Sequence, residues 1–153
     1  MTMIQDNTYR FYGFGNYYLS SLQQGLQAGH AITELFVNNP VDSDKYAQVN
    51  QWGKAHKTMV LLKGGNSADL AQLFEFFQEQ EKLGMPFAYT KFHEDEVSLG
   101  GALTYVGIIL PNEIYDLSAQ LRSRIVDIET LNATLPSWKV NLIERLNCYG
   151  LAN

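Results

Sequence analysis

The chain has 153 residues, of which 46% are hydrophobic and 18% are charged, as in a single globular domain with its own core. Its net charge of -5 disfavours tRNA as a partner, although this charge does not exclude a local basic patch. No stretch approaches the about 18 consecutive apolar residues of a membrane span, and no secretory signal precedes the first strand. The single cysteine, Cys148, cannot form an intramolecular disulfide, so we expect a cytoplasmic location.

Aromatic residues dominate the first predicted strand, which covers residues 9–18. Gly13 and Gly15 interrupt it. They indicate either close approach of a ligand or another backbone, or tight packing beneath the first helix, and packing is the preferred interpretation. Residues 1–8 are polar, and we expect them to be frayed.

The segment LSSLQQGLQAGHA, from residue 19 to residue 31, predicts the start of a helix over residues 21–37. Ser20 and Gln23 have the spacing of a capping box. Gln23, Gln27 and His30 follow at i, i+4 and i+7, so they share one face of the helix. The buried side is expected to carry the apolar residues Leu22, Leu26, Ala28 or Gly29, Ile32, Leu35 and Phe36.

Helices and strands alternate through the middle of the chain. Asp42 or Ser43 is expected to cap a second helix that runs through Trp52, and residues 58–63 predict a buried strand. Ser67 is expected to cap a third helix. The core stripe of that helix is predicted to be Leu70, Leu73, Phe74 and Phe77.

The remaining segments complete an α/β pattern. A third strand is predicted over residues 86–90, an acidic loop over residues 93–101 and a fourth strand over residues 102–110. Residues 117–153 are predicted to be helical again, with a break at Pro136. Strands that alternate with helices predict an α/β sandwich with at least one right-handed crossover.

The order of these elements and their local sequences resemble the type-2 peptidyl-tRNA hydrolase family over about residues 9–118. That family's first helix opens with a pattern like G-K-G-K-x-A-A-Q-x-x-H-A. Here the segment is SSLQQGLQAGHA, with Gln27, His30 and Ala31 in register, and the strand YVGIILP also fits. The resemblance implies a mixed four-stranded sheet flanked by helices on both faces. Residues 119–153 would then form a helical extension within one domain, 1–153.

Several positions depart from the family pattern. The family's proposed catalytic lysine falls on Gln23, and the Asp of its R-x-D-L segment falls on Asn16. Lys91 stands where the Asp of the D-A-G-x-T signature would be, and Gly101 stands where a threonine would be. Hydrolysis of the ester needs an activated water, and His30 is the one ionisable group of this set that is retained. We therefore expect no catalytic residues.

The residues at these positions favour a non-catalytic protein, a pseudoenzyme that binds or sequesters a nucleotide-type molecule. Virus-encoded sponges of host immune signals are one such class. Amides and aromatic rings suit this ligand because they form hydrogen bonds and stack against a base. The predicted ligand-binding residues are Asn16, Gln23, Gln27, His30, Tyr12, Phe14, Tyr17, Tyr18 and His93.

Two alternatives stay open. One is an active aminoacyl- or peptidyl-tRNA hydrolase that takes its base from residues 93–96, and the other is a protein-interaction module formed by residues 119–153. Neither a metal nor a cofactor is predicted, because the chain has no HxxxH, HExxH or CxxC spacing and no P-loop. A homodimer is expected, because members of this fold family often pair and the apolar extension needs a partner surface.

Overall fold

Four strands form one mixed sheet: β1 (Tyr9–Asn16), β2 (Met59–Gly65), β3 (Tyr89–His93) and β4 (Leu103–Pro111). The structure is a computed structural model that describes residues 8–94 and 101–152. The strand order is β2-β1-β4-β3. β1 runs parallel to β2, and β4 runs antiparallel to both β1 and β3. The expected α/β architecture with a mixed four-stranded sheet is confirmed.

Six α-helices accompany the sheet in the part of the chain that the structure describes. The first has the predicted bounds, and its capping box of Ser20 and Gln23 is present. A single π-helical turn, Trp52–His56, extends the second helix. The helices are α1 (Ser21–Val37), α2 (Asp44–Gln51), α3 (Ser67–Lys82), α4 (Asn112–Arg122), α5 (Ile128–Thr134) and α6 (Ser137–Leu146).

The alternation of side chains along β1 divides the core into two layers. Phe11 packs with Ala28, Ala31 and Leu35 of α1 on one face of the sheet. Tyr12 and Phe14 pack on the other face, against the α3 residues Leu70, Leu73 and Phe77. Helices α1 and α3 therefore cover opposite faces, and the site must be described face by face.

The helices after residue 122 belong to the α3 layer. Leu131, Val140, Leu142 and Ile143 are buried in the same cluster as Phe14. The apolar side of the extension is thus covered by its own chain, so it gives no reason to expect a partner surface there. Ile125, in the turn between α4 and α5, is 76% exposed.

Two local predictions differ from the structure. Asn66, and not Ser67, caps α3, because its side chain accepts the Asp69 N–H while the Asp69 carboxylate accepts the Asn66 N–H, each at 2.9 Å. The third strand begins at Tyr89 and not at residue 86, because the Ala88 N–H donates to the Gln48 side chain at 3.1 Å. The expectation of fraying at the start of the chain falls on residues 1–7, outside the described residues.

The buried side of α1 also differs from its prediction. Leu22 and Leu26 are 75% and 57% exposed, whereas Gln24 and Gln27 are each only 7% exposed. The reason is steric: Gln24 fills the space above Gly15, where any Cβ would overlap its amide. With Gln24 facing the sheet, the two leucines are turned toward solvent.

None of the helices within the described ranges combines the length and the apolar character that crossing a bilayer requires.

Candidate functional site

The parallel strands β1 and β2 end side by side, and we call the region beyond their carboxyl ends, between the starts of α1 and α3, the crevice. From β1 the chain continues to α1 on one face of the sheet, and from β2 it continues to α3 on the other. A place where the connections of two neighbouring strands leave toward opposite faces of the sheet is called a topological switch point. Ligands of α/β proteins commonly bind there, outside the carboxyl ends of the strands. The pairing shifts here by one residue, so Gly64 is the extra residue of β2. A Cβ on Gly64 would lie 2.5 Å from Leu70 Cδ2, so only glycine fits.

Asn16 ends β1 at the base of this crevice and is fully buried. Its Nδ2 donates to Ser67 Oγ at 3.0 Å and to the Leu103 carbonyl at 3.1 Å. Its Oδ1 is buried and accepts no hydrogen bond from any residue that the structure describes. An orphaned acceptor of this kind is destabilising unless it gains a donor, and such groups gather at functional sites.

The N-termini of α1 and α3 flank the crevice, and each has a complete capping box. Gln23 Oε1 accepts the Ser20 N–H at 2.9 Å, so part of the predicted binding side chain is used to start the helix. The aligned peptide dipoles of a helix place partial positive charge at its N-terminus. The start of α1 has no acidic residue and therefore favours an anionic group, whereas the start of α3 already carries the Asp69 carboxylate.

Gln27 connects α1 to the two strands beneath it. Its Nε2 donates to Glu94 Oε2 at 2.7 Å, and its Oε1 accepts from Thr104 Oγ1 at 3.1 Å. Thr104 is the extra residue of a bulge, since Phe92 pairs with Tyr105 and the next residue of β3 pairs with Leu103. The bulge turns the threonine hydroxyl toward α1, which fixes the glutamine amide in one orientation.

His30 lies one turn further along α1 and stacks flat on Phe92. The ring centroids are 4.5 Å apart and the planes differ by 7°. His30 is exposed, so its outer surface remains open to solvent. The stacked pair holds the imidazole in a fixed plane beside Gln27, where it can donate or accept a hydrogen bond.

Two exposed tyrosines stand at the mouth of the crevice. Tyr17 is 73% exposed, Tyr18 is 45% exposed, and their rings meet edge to face at 6.0 Å. The Tyr17 N–H donates to the Gly65 carbonyl at 2.7 Å, which ties this turn to the end of β2. Exposed aromatic rings on an anchored backbone are suited to stacking on a base.

Three of the predicted binding residues, Tyr12, Phe14 and His93, lie on the face of the sheet that α3 covers, opposite to α1. Phe14 is fully buried against Phe77 and Tyr149, and Tyr12 faces the C-terminal helices. His93 points to the α3 side, with its Nδ1 3.0 Å from the Gly101 carbonyl oxygen. The structure does not bring these three to the crevice, because adjacent residues of a strand point to opposite faces.

The glycines of β1 are explained by packing. A Cβ on Gly13 would overlap the Tyr105 ring, and a Cβ on Gly15 would overlap Gln24. The Tyr105 hydroxyl has no partner among the residues described, and burial raises the pKa of this phenol well above its usual range. Neither glycine borders a ligand space.

Sequence reasoning missed three contributors to this region: Ser67, Phe92 and Thr104. Glu94 was considered only as a base of the alternative hydrolase. Thr104 carried a signal, as a small hydroxyl residue inside the apolar run from residue 102 to residue 110. Ser67 and Phe92 carried none, because their role depends on which elements the fold places side by side. The bulge that turns Thr104 toward α1 is likewise invisible in the sequence.

The arrangement can hydrogen-bond, stack and attract an anion. Across residues 8–94 and 101–152, no three His, Cys, Asp or Glu side chains are grouped so that they could hold a metal ion. No protein-family model matches this chain, and neither does any curated protein. Since a fold alone does not define a function, the function has to be inferred from the residues of the crevice.

Proposed function

We propose that this chain is a non-catalytic cytoplasmic protein that binds or sequesters a nucleotide-type molecule on a type-2 peptidyl-tRNA hydrolase-like fold. The observation that carries the proposal is the crevice between the N-termini of α1 and α3, with Tyr17 and Tyr18 at its mouth. The start of α1, which has no acidic residue, favours phosphate, and exposed aromatic rings favour a base. A nucleotide presents both groups at once.

The fold-family part of the proposal is supported by topology. The resemblance implies a mixed four-stranded sheet with helices on both faces, and the sheet here is mixed, with β4 antiparallel to its neighbours. The segment of the resemblance that carries Gln27 and His30 forms α1, at the carboxyl end of β1.

The non-catalytic part is supported by what occupies the family's reactive positions. Gln23 stands where the lysine would be, and its amide oxygen serves the capping box. Asn16 stands where an Asp would be, and its amide donates to Ser67 and to the Leu103 carbonyl. Both side chains are neutral amides, which are too weakly basic to take a proton from water near neutral pH.

The loop-based hydrolase finds less support. His93 faces the α3 side of the sheet, whereas Glu94 faces α1 and is hydrogen-bonded to Gln27. Two neighbours that point to opposite faces cannot act on one substrate atom as an acid–base pair. Asp95 and Glu96, the other members of the predicted set, lie outside the described residues.

The outer side of α1 supports the proposed homodimer. Leu22 and Leu26 are largely exposed, and, apart from the backbone of α1 and the adjacent residues, no atom of the described residues lies within 4 Å of where a Cβ would stand on Gly25 or Gly29. Exposed apolar side chains beside residues without side chains allow a second copy to approach closely. Pairing through this surface would place two crevices near one another.

The first test is native mass spectrometry of the protein purified from a cell extract, with peptidyl-tRNA hydrolysis measured on the same sample. We expect a nucleotide-sized adduct, a dimer mass and no turnover. A panel of mono-, di- and cyclic nucleotides then identifies the ligand. Tyr17→Ala and His30→Ala should each weaken its binding about tenfold, the usual effect of one stacked base.

Val37→Ala is the matched control, because Val37 is 73% exposed at the far end of α1 and should leave affinity unchanged. Unchanged affinity in the Tyr17 and His30 variants would remove the crevice as the binding site. Turnover that disappears in Glu94→Gln would replace the proposal with a rearranged hydrolase.

A further inference from the structure

A cavity of about 200 Å³ lies on the face of the sheet opposite α1. Its floor is formed by side chains of β1 and β2, among them Tyr12, Val60 and Leu62. Its walls come from α4, α6 and the segment that follows α6. The cavity is therefore separate from the crevice, and the function proposed for that crevice does not use it.

The C-terminal segment closes one side of this cavity. Leu151 pairs antiparallel with Leu62. The Lys63 N–H donates to the Gly150 carbonyl and the Ala152 N–H donates to the Leu61 carbonyl, both at 2.9 Å. These bonds hold Tyr149 and Leu151 against the cavity as a wall, so the cavity is a defined feature of the fold.

Tyr12 contributes apolar ring surface to this space. The residue is 3% exposed, and its hydroxyl is itself covered by protein atoms and has no hydrogen-bond partner in the described part of the chain. The surface that Tyr12 presents to a molecule in the cavity is therefore the ring and not the hydroxyl.

Arg122 gives the cavity its charge. It is the one charged side chain among the described residues that line the space, and it is exposed at the rim. Its hydrogen bond to Asn147 Oδ1 is long, at 3.4 Å, so most of its five N–H donors remain open to another acceptor. A guanidinium group at the rim of an apolar space selects a carboxylate, which it can bind with two parallel hydrogen bonds.

We propose that this cavity is a second ligand site, which takes a small carboxylate with a single-ring apolar body. The ring lies between Val60, Leu62 and Leu146, and the carboxylate pairs with Arg122. The volume is suitable, since an apolar cavity of about 150 Å³ encloses benzene. A nucleotide is too large and too polar for it.

The test uses benzoate and 4-hydroxybenzoate, with benzamide as the neutral probe of the same shape. Titration of the ¹⁵N-labelled chain should shift the amide signals of Leu62, Leu146 and Leu151 to saturation. Benzoate should bind about tenfold more tightly than benzamide. Arg122→Gln should abolish that preference, and 4-hydroxybenzoate should bind no more tightly than benzoate, because the Tyr12 hydroxyl is covered by protein atoms.

Arg124→Gln is the matched control, since it removes the same charge from an exposed residue that does not line the cavity. It should leave both affinities unchanged. If neither acid gives saturable shifts in the wild-type protein, or if benzamide and benzoate bind alike, the proposal is overturned. Nucleotide binding is measured in the same samples, so failure of this site and failure of the crevice are distinguished.

Discussion

Helices α1 and α3 cover opposite faces of one sheet, yet they are held by different forces. α3 buries Leu70, Leu73 and Phe77, three of the four residues of its predicted apolar stripe, and half-buries the fourth, Phe74. The first turns of α1 do the reverse, burying Gln24 and Gln27 and exposing Leu22 and Leu26. The comparison shows that a helix start can be placed by hydrogen bonds and steric fit where a site is formed, while packing places the rest.

The largest expected effect tests the apolar side of this comparison. Leu73 is fully buried in the α3 layer, so Leu73→Ala removes buried methyl groups and leaves a cavity. We expect a loss of about 2–5 kcal/mol in the free energy of unfolding, measured by urea denaturation. Leu83→Ala is the matched control, because Leu83 is 55% exposed at the end of α3, and it should change this free energy by less than about 0.5 kcal/mol. A similar loss in both variants would mean that Leu83 is covered in solution.

A smaller effect tests the polar side. Gln27→Leu removes the amide that joins Glu94 to Thr104, and leaves a buried hydroxyl with only the long bond to the Phe92 carbonyl, at 3.4 Å. We expect a loss of about 1–3 kcal/mol, again from urea denaturation. Adding Thr104→Val to this variant should cost little more, because the two residues share one interaction. Full additivity would show that the bond contributes nothing.

The smallest effect concerns alkaline pH on the α3 side. Burial, the negative charge of Glu81 and the hydrogen bond to it raise the pKa of Tyr89 to about 12. An unfolded tyrosine ionises near pH 10, so the stability that neutral Tyr89 contributes is complete below pH 10 and is lost as pH rises toward 12.

Unfolding curves between these pH values should therefore show a decline that is shallower in Tyr89→Phe. Glu81→Gln should lower the pKa of Tyr89, as measured by phenolate absorbance. If Tyr89→Phe leaves the alkaline decline unchanged, other buried phenols account for it.

The sequence predicted best where one physical signal dominated. The capping box fixed the start of α1, and the apolar run before Pro111 located β4 to within one residue at each end. The third strand was misplaced because residues 86–88 are as apolar as a strand, whereas in the fold the Gln48 side chain binds the Pro86 carbonyl and the Ala88 N–H. Local patterns carry no information on such a contact.

The candidate site was predicted less completely for a related reason. Gln27 and His30 were placed on one face by helical spacing, and both lie on that face beside Phe92 and Thr104. Tyr12 was grouped with them because it is near in sequence, but the pleat of β1 turns it to the other layer. Which strand residues meet which helix depends on the order of the strands, and that order is set by long-range pairing.

The short pairing of Leu151 with Leu62 also affects how molecules of this chain meet one another. β2 is an outer strand of the sheet, and an outer strand with free N–H and C=O groups is a template on which strands of other molecules add. The segment from residue 150 to residue 152 fills part of that template. It thereby limits edge-to-edge aggregation. A change that displaces this segment should make the protein more prone to aggregate through the β2 edge.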